Sequence, residues 1–175
     1  MSNLFKKLNS RLPRLEESKK DTYFKNLDID RVSHIKFIGN LQGIYEKELN
    51  QTSSNDLRLY TFALNIKQMH LKLTEIEDKS LNFITEKIKK NNHTLQSHFT
   101  LSCYQLPINN TNKTYDRIIE EIDKLSYFRK RIITYMDKEI YNKNWQAVKG
   151  FYIAIAKLVY RIYNYETILR KLIIV

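Results

Sequence analysis

The chain has 175 residues, 42% of them hydrophobic and 28% charged, and a formal net charge of +11. Three glycines and two prolines are too few for the tight turns of an all-β fold, and one cysteine excludes an intramolecular disulfide. No apolar run has the length of a signal peptide or a membrane span. We therefore expect one all-α domain, residues 1–175, in the cytoplasm.

The first predicted element is a short amphipathic helix at the N-terminus, which Pro13 ends. Its apolar face comprises Leu4, Phe5, Leu8 and Leu12. Lysines and arginines flank that face, a composition also typical of helices that bind a membrane surface. We favour docking on the rest of the domain over membrane binding, and we expect residues 1–27 to be peripheral or flexible.

Two long helices are predicted next in the chain. The first begins near Asp28 or Asp30, either of which can act as an N-cap, and ends near Asn50. The second covers about 56–90, after a turn at 52–55, and has apolar side chains on two faces. A helix that is apolar on two faces needs cover on two sides, so 56–90 is predicted to be the long central helix of the bundle. The two stripes are Leu57, Tyr60, Leu64 and Leu71, and Leu59, Phe62, Ile66, Met69, Leu73 and Ile84.

The last two predicted helices form an antiparallel hairpin at the C-terminus. They cover about 114–142 and 145–175, after a loop-like stretch at 91–113, and the short link between them requires that they pack side by side. The fold prediction is therefore a bundle of four to five helices. The predicted buried faces comprise Ile118, Ile122, Leu125, Ile132, Met136 and Ile140, and Val148, Tyr152, Ile155, Val159, Ile162 and Leu169.

No residue pattern predicts catalysis, a cofactor or a metal site. His34 lies on an apolar helical face and is predicted to be a hydrogen-bonded core residue, while His70 is predicted to be partly exposed. His93, His98 and Cys103 recur at five-residue spacing, which does not place three zinc ligands on one helical face, and a fourth ligand is missing. Phosphate-binding loops, dinucleotide-binding motifs and the His-Glu-x-x-His motif do not occur. We expect a binding protein rather than an enzyme.

The C-terminal quarter combines positive charge with aromatic residues. Residues 129–175 contain ten lysines and arginines against three acids, and seven of the twelve tyrosines lie between 127 and 165. Bases attract phosphates and aromatic rings stack on unpaired nucleobases, so RNA or single-stranded DNA is the predicted partner. The predicted phosphate contacts are Arg129, Lys130, Arg131, Lys138, Lys149, Lys157 and Arg161, and the predicted stacking residues are Tyr127, Tyr135 and Tyr160.

Two other interpretations of this basic surface stay open. It can dock an acidic protein, as a subunit of a larger assembly or as an effector of a host or competitor factor, or it can be a solvated charged face. Oligomerisation is also open.

Two charged residues fall within predicted apolar stripes, Arg129 in the first helix of the hairpin and Glu166 in the second. A buried charge needs a partner. In a hairpin that turns near residue 143 the two side chains lie too far apart to pair, roughly 13 Å along the helix axis. Either each charge has another partner, or that face is open as a groove or an oligomer contact.

A short segment resembles one known family. Thr52, Ser53 and Ser54 followed by Leu57 and Arg58 resemble the start of a helix in the small helical subunits of type III CRISPR complexes, and the aromatic stretch 151–165 is similar in character. The Ser-to-Arg spacing differs by one residue from that family's pattern. The resemblance therefore assigns no family, and it implies only that a small, basic, helical RNA-binding subunit can have such a sequence.

Overall fold

The computed structural model describes residues 22–90 and 111–174, with side chains described for 25–87 and 115–171. These residues form four α-helices without any described strand. We number them α1 to α4 in chain order: α1 is Thr22–Leu49, α2 is Asp56–Lys90, α3 is Thr111–Tyr141 and α4 is Trp145–Ile174. The prediction of an all-α fold is confirmed for this part of the chain. The predicted N-terminal helix, with its membrane-surface alternative, lies outside the described residues.

The four helices form two antiparallel hairpins, α1 with α2 and α3 with α4, each packed along its length. The hairpins meet mainly through α2 and α4, while α1 and α3 do not contact each other. Both α2 and α4 touch all three other helices, so the predicted single central helix is not confirmed, because α4 shares that position.

The hydrophobic core is divided into two clusters along the bundle axis. The cluster nearest the two tight turns, here called the turn-side cluster, includes Tyr45, Leu59, Ile66, Met136 and Tyr152. The distal cluster comprises Ile84, Ile118, Ile122, Leu125, Ile162, Ile168 and Leu169. Between the two clusters, buried polar and charged side chains take the place of apolar ones in the core.

Side-chain and backbone caps define the tight turns. Asn55 Oδ1 accepts hydrogen bonds from the backbone N–H groups of Leu57 and Arg58, at 2.9 and 3.2 Å, which makes it the N-cap of α2. At the end of α3, Lys143 adopts a left-handed conformation with φ of 56°. The N–H groups of Lys143 and Asn144 bond to the carbonyls of Ile140 and Glu139, the Schellman pattern that satisfies the last turn of a helix.

Two features of the helices differ from the predictions. The first helix begins at Thr22, so Asp28 lies inside it and is not its cap; the Asp28 side chain is buried and pairs with Arg170 of α4. The predicted α2 stripe that begins at Leu57 is only partly covered, since Leu57, Tyr60 and Leu71 are 73%, 44% and 42% exposed. Residues 22–27 thus form the first turns of α1, and α2 is apolar on one buried face.

Candidate nucleic-acid interface

The outer face of α3 carries a row of aromatic and basic side chains. Tyr127, Arg131 and Tyr135 follow one another at four-residue spacing, so they lie on one helical face, one turn apart. Both tyrosine rings are about half exposed, at 58% and 47%. The buried stripe of α3 occupies the opposite face, which leaves this row, here called the tyrosine–arginine row, directed away from the core.

The three side chains of the row contact one another. The Arg131 guanidinium carbon lies 5.8 Å from the ring centroid of Tyr127 and 5.7 Å from that of Tyr135, both within cation–π distance. Arg131 Nη2 also donates a hydrogen bond of 2.7 Å to the Tyr135 hydroxyl. One guanidinium therefore bridges two exposed rings.

Phe128 extends the aromatic surface. It is 52% exposed and packs edge-on against Tyr127, with 6.0 Å between the ring centroids. Phe128 is not among the predicted site residues, because a phenylalanine beside an apolar stripe is predicted to be buried in the core. Helical spacing could not have found it, because Phe128 lies three residues after Leu125 and four before Ile132, positions that share a helical face.

Hydrogen bonding to Tyr135, together with the nearby hydroxyls of Tyr135 and Tyr127, raises the pKa of the Arg131 guanidinium. The side chain is therefore a permanent cation at the centre of the row.

The structure places most of the predicted phosphate contacts on the surface. Lys130, Lys138, Lys157 and Arg161 are exposed and Lys149 is partly exposed. They are distributed over both helices of the second hairpin. Tyr160 differs from the other predicted stacking residues, because its ring is partly buried and packs against the turn-side cluster.

Arg129 has to be removed from the predicted surface. Its side chain is 1% exposed and forms a buried ion pair with Glu77 of α2. A guanidinium in that position cannot reach a phosphate of a bound polymer. The surface charge survives this correction: without the enclosed Arg129, Glu166 and Arg170, residues 129–175 still carry eight bases against two acids.

Glu166 also has partners that the sequence does not reveal. Arg31 Nη2 of α1 lies 2.8 Å from Glu166 Oε2, Ser80 of α2 donates a hydrogen bond to Oε1, and Arg170 one turn further along α4 lies 3.1 Å away. Arg170 in turn binds Asp28 through two hydrogen bonds of 2.8 Å. Of the two interpretations left open for the misplaced charges, the one in which each finds another partner is therefore the one observed.

Together these groups form a buried ionic layer between the two core clusters. Its members are Asp28 and Arg31 on α1, Glu77 and Ser80 on α2, Arg129 on α3, and Glu166 and Arg170 on α4. Three arginines face three carboxylates, so the layer is formally neutral. Every ion pair between helices in this layer joins one hairpin to the other.

Burial and the neighbouring arginines shift the carboxyl pKa values of this layer in opposite directions. At Glu166 burial favours the neutral acid, but the charges of Arg31 and Arg170 outweigh it and the pKa is lowered. At Glu77 burial dominates over Arg129 and Arg31, and the pKa is raised.

His70 lies on α2 beside the ionic layer and is 1% exposed, so the prediction of a partly exposed ring is wrong. Burial, reinforced by the charge of Arg129, lowers the pKa of its imidazole to about 3. His34 shows the reverse: it is partly exposed, and its Nδ1 lies 2.7 Å from the Asp30 carbonyl oxygen. The two rings therefore exchange the degrees of burial that the sequence predicts for them.

Within residues 22–90 and 111–174, no group of metal-ligating side chains has an arrangement that could hold an ion. The candidate zinc residues His93, His98 and Cys103 lie outside the described residues. Of the four described helices, none combines the length and apolar character needed to cross a bilayer.

Comparison with known proteins adds no relative. No protein-family model matches the chain, and neither a curated protein nor a solved structure is significantly similar to it. The arrangement of its own residues is therefore the basis for a functional assignment.

Proposed function

We propose that this protein is a non-enzymatic nucleic-acid-binding protein that contacts single-stranded RNA or DNA through the outer surface of the α3–α4 hairpin. The observation that carries the proposal is the tyrosine–arginine row, in which two half-exposed rings are bridged by a guanidinium. Exposed aromatic rings beside fixed positive charge are the two components with which proteins hold unpaired bases and their phosphates.

The charge of the hairpin supports the same function. After the buried arginines are set aside, the excess of bases over acids in 129–175 remains at the surface, where it can neutralise phosphates. Lys130, Lys138, Lys157 and Arg161 supply exposed cations on both helices. Lys149 adds a partly exposed one.

The competing function is a docking surface for an acidic protein. Tyrosine and arginine are also enriched at the centres of protein interfaces, so the same row favours that candidate. The two functions differ in their response to salt: phosphate contacts release counterions, so the logarithm of affinity falls linearly with the logarithm of salt concentration, with a slope of about 0.7 per contact on single strands. A protein interface depends on a few buried anchors and responds less steeply.

The test is fluorescence anisotropy with a labelled thymidine oligonucleotide over a salt series. In the site variant, Lys130, Lys138 and Lys157 are replaced by alanine. In the matched control, the exposed Lys36, Lys72 and Lys79 on α1 and α2 are replaced instead, which removes the same charge from the other hairpin.

We expect the site variant to lower the salt slope by about two, three contacts at about 0.7 each, and the control to leave it nearly unchanged. Equal effects of the two variants would show a diffuse attraction to net charge and remove the interface from this hairpin. Absence of binding by the unmodified protein at low salt would reject the function and favour the protein-docking candidate.

A further inference from the structure

We propose that the tyrosine–arginine row is a preordered stacking platform in which Arg131 is a positioning residue that holds the rings of Tyr127 and Tyr135 in place for unpaired bases. This inference rests on the proposed nucleic-acid-binding function and deepens it. It assigns Arg131 a role other than the phosphate contact that charge alone suggests.

The contacts of Arg131 carry the assignment. Its guanidinium lies within 6 Å of both ring centroids and donates a hydrogen bond to the Tyr135 hydroxyl. An exposed tyrosine normally samples several rotamers, and a ligand that stacks on it must fix one of them at a cost in entropy. Rings already held by a guanidinium lose less freedom on binding, so the bridge raises affinity without touching the ligand.

The spacing of the rings points to a single strand that follows the helix axis. Tyr127 and Tyr135 are eight residues apart, which is about 12 Å along α3. Phosphates in a stacked strand repeat at about 3.4 Å, so bases on the two rings would belong to nucleotides about three to four positions apart. In a duplex the base faces are covered by their neighbours in the stack, and neither ring could reach one without unstacking it.

The row also has cations beyond each end. Lys124 and Lys138 lie seven residues before and after Arg131, which returns them to nearly the same helical face, about 10 Å away on either side. Both are exposed, and Lys124 forms a surface ion pair with Glu121 at 2.9 Å. They are placed to contact phosphates on either side of the stacked bases, which leaves Arg131 with the rings.

Replacing Arg131 with lysine distinguishes a positioning role from a charge contact. Lysine keeps the positive charge but lacks the planar fork that lies over two rings and bonds a hydroxyl. Arg131→Lys should therefore bind thymidine oligonucleotides nearly as weakly as Arg131→Ala, roughly tenfold below the unmodified protein, on the scale of one lost stacking contact. Its salt slope should equal that of the unmodified protein. Lys130→Ala, at the adjacent exposed cation, should lower the slope by about 0.7.

A second pair of variants tests the bridge without changing charge. Tyr135→Phe keeps the ring and removes the hydroxyl that accepts the hydrogen bond from Arg131, so its affinity should fall several-fold. Tyr127→Phe removes a hydroxyl that affects Arg131 less than the Tyr135 hydroxyl does, so it should lose less affinity than Tyr135→Phe. Urea midpoints should agree among all these variants, because every substituted side chain is exposed.

The outcomes separate this inference from the function on which it rests. If the unmodified protein binds the oligonucleotide and Arg131→Lys binds equally well, Arg131 is a charge contact and the positioning role is wrong, while the proposed function stands. If Tyr127→Phe and Tyr135→Phe behave alike, the bridge makes no contribution and the role is also overturned. If the unmodified protein binds no oligonucleotide at low salt, the function itself fails at the first measurement.

Discussion

Arg31 and Glu166 are 135 residues apart in the chain, yet Arg31 Nη2 and Glu166 Oε2 lie 2.8 Å apart with both side chains at most 2% exposed. The pair joins α1 to α4 at the level where the apolar core is interrupted. Removing two charges from water costs on the order of several kcal/mol per ion. The attraction between the charges offsets that cost only when their geometry is good and further hydrogen bonds satisfy the remaining polar atoms. Ser80 and Arg170 supply such bonds to Glu166.

The Arg129–Glu77 pair should show strong coupling between its two partners. Arg129→Met leaves Glu77 buried beside one fewer cation, and we expect a loss of about 3–5 kcal/mol in the free energy of unfolding. Adding Glu77→Leu removes the orphaned charge, so the double variant should recover much of that loss. Urea unfolding of the four members of the cycle measures the coupling.

The control for that cycle is the Lys67–Asp137 pair, which also joins α2 to α3 but leaves Asp137 47% exposed. Asp137→Asn should cost no more than about 1 kcal/mol. A similar cost at both pairs would show that burial does not set the energetics of the ionic layer.

His70 should make the stability depend on pH between 7 and 5. In the unfolded chain its pKa is about 6.5, whereas in the folded protein it is lowered to about 3. As the pH falls through 6.5 the unfolded state takes up a proton that the folded state does not, so the folded state loses stability, by about 1.4 kcal/mol per pH unit once below 6.5. That loss would continue until the pH approaches the folded value.

His70→Gln should flatten this dependence, as measured by urea midpoints at pH 7, 6 and 5. His34→Gln, which retains His70, should keep it. A steep dependence that persists in His70→Gln would assign the proton uptake to other groups.

The turn between α3 and α4 contains a position that glycine should improve. Lys143 has φ of 56°, a left-handed conformation that costs a residue with a Cβ about 1–2 kcal/mol. Its exposed ion pair with Asp56, at 3.5 Å, offsets little of that cost. Lys143→Gly should therefore raise the free energy of unfolding by about 0.5–1 kcal/mol.

Lys143→Val is the opposing variant, since a β-branched side chain fits the left-handed region least well, and it should lower the midpoint of thermal unfolding. Equal midpoints for the glycine and valine variants would mean that the turn relaxes without the Schellman geometry.

Tyr45 should matter through its hydroxyl as well as its ring. The hydroxyl donates a hydrogen bond of 2.7 Å to the backbone carbonyl of Trp145, and that residue's indole N–H bonds to Asp56 at 2.9 Å. Tyr45→Phe leaves the buried carbonyl without this donor, at a cost of about 1–3 kcal/mol. Trp145 is the single tryptophan, so its emission reports both the unfolding midpoint and any local opening of this end of the bundle.

Helix type and the faces of α3 and α4 could be predicted because apolar periodicity is a local property. Ile118, Ile122, Val148 and Tyr152 are buried as their spacing predicts, whereas Ile132 is only partly buried and Ile133 takes its place in the core. The exposed positions of Tyr127 and Tyr135 follow from the same wheel. Their contact with Arg131 cannot be predicted from the sequence, because it depends on rotamers rather than on spacing.

The partners of the buried charges could not be predicted, because each partner lies on the opposite hairpin, far away in the sequence. Arg129 and Glu77 are 52 residues apart, and no local pattern relates them. The same cause applies to Asp28: an aspartate before an apolar face predicts a helix cap, whereas its partner Arg170 lies 142 residues away. The environment of His70 likewise depends on neighbours contributed by α3.

The ionic layer has a consequence for the alternative ways in which two helical hairpins can assemble. Apolar stripes of leucine and isoleucine tolerate a slide of one helical turn, about 5.4 Å, or closure of the bundle with the opposite handedness, because one aliphatic contact replaces another. Either rearrangement would separate Arg31 from Glu166 and Arg129 from Glu77, and would leave charges buried without partners. We therefore expect the layer to select one topological isomer, so that replacing all six charges with apolar residues yields a stable protein that populates more than one arrangement of its hairpins.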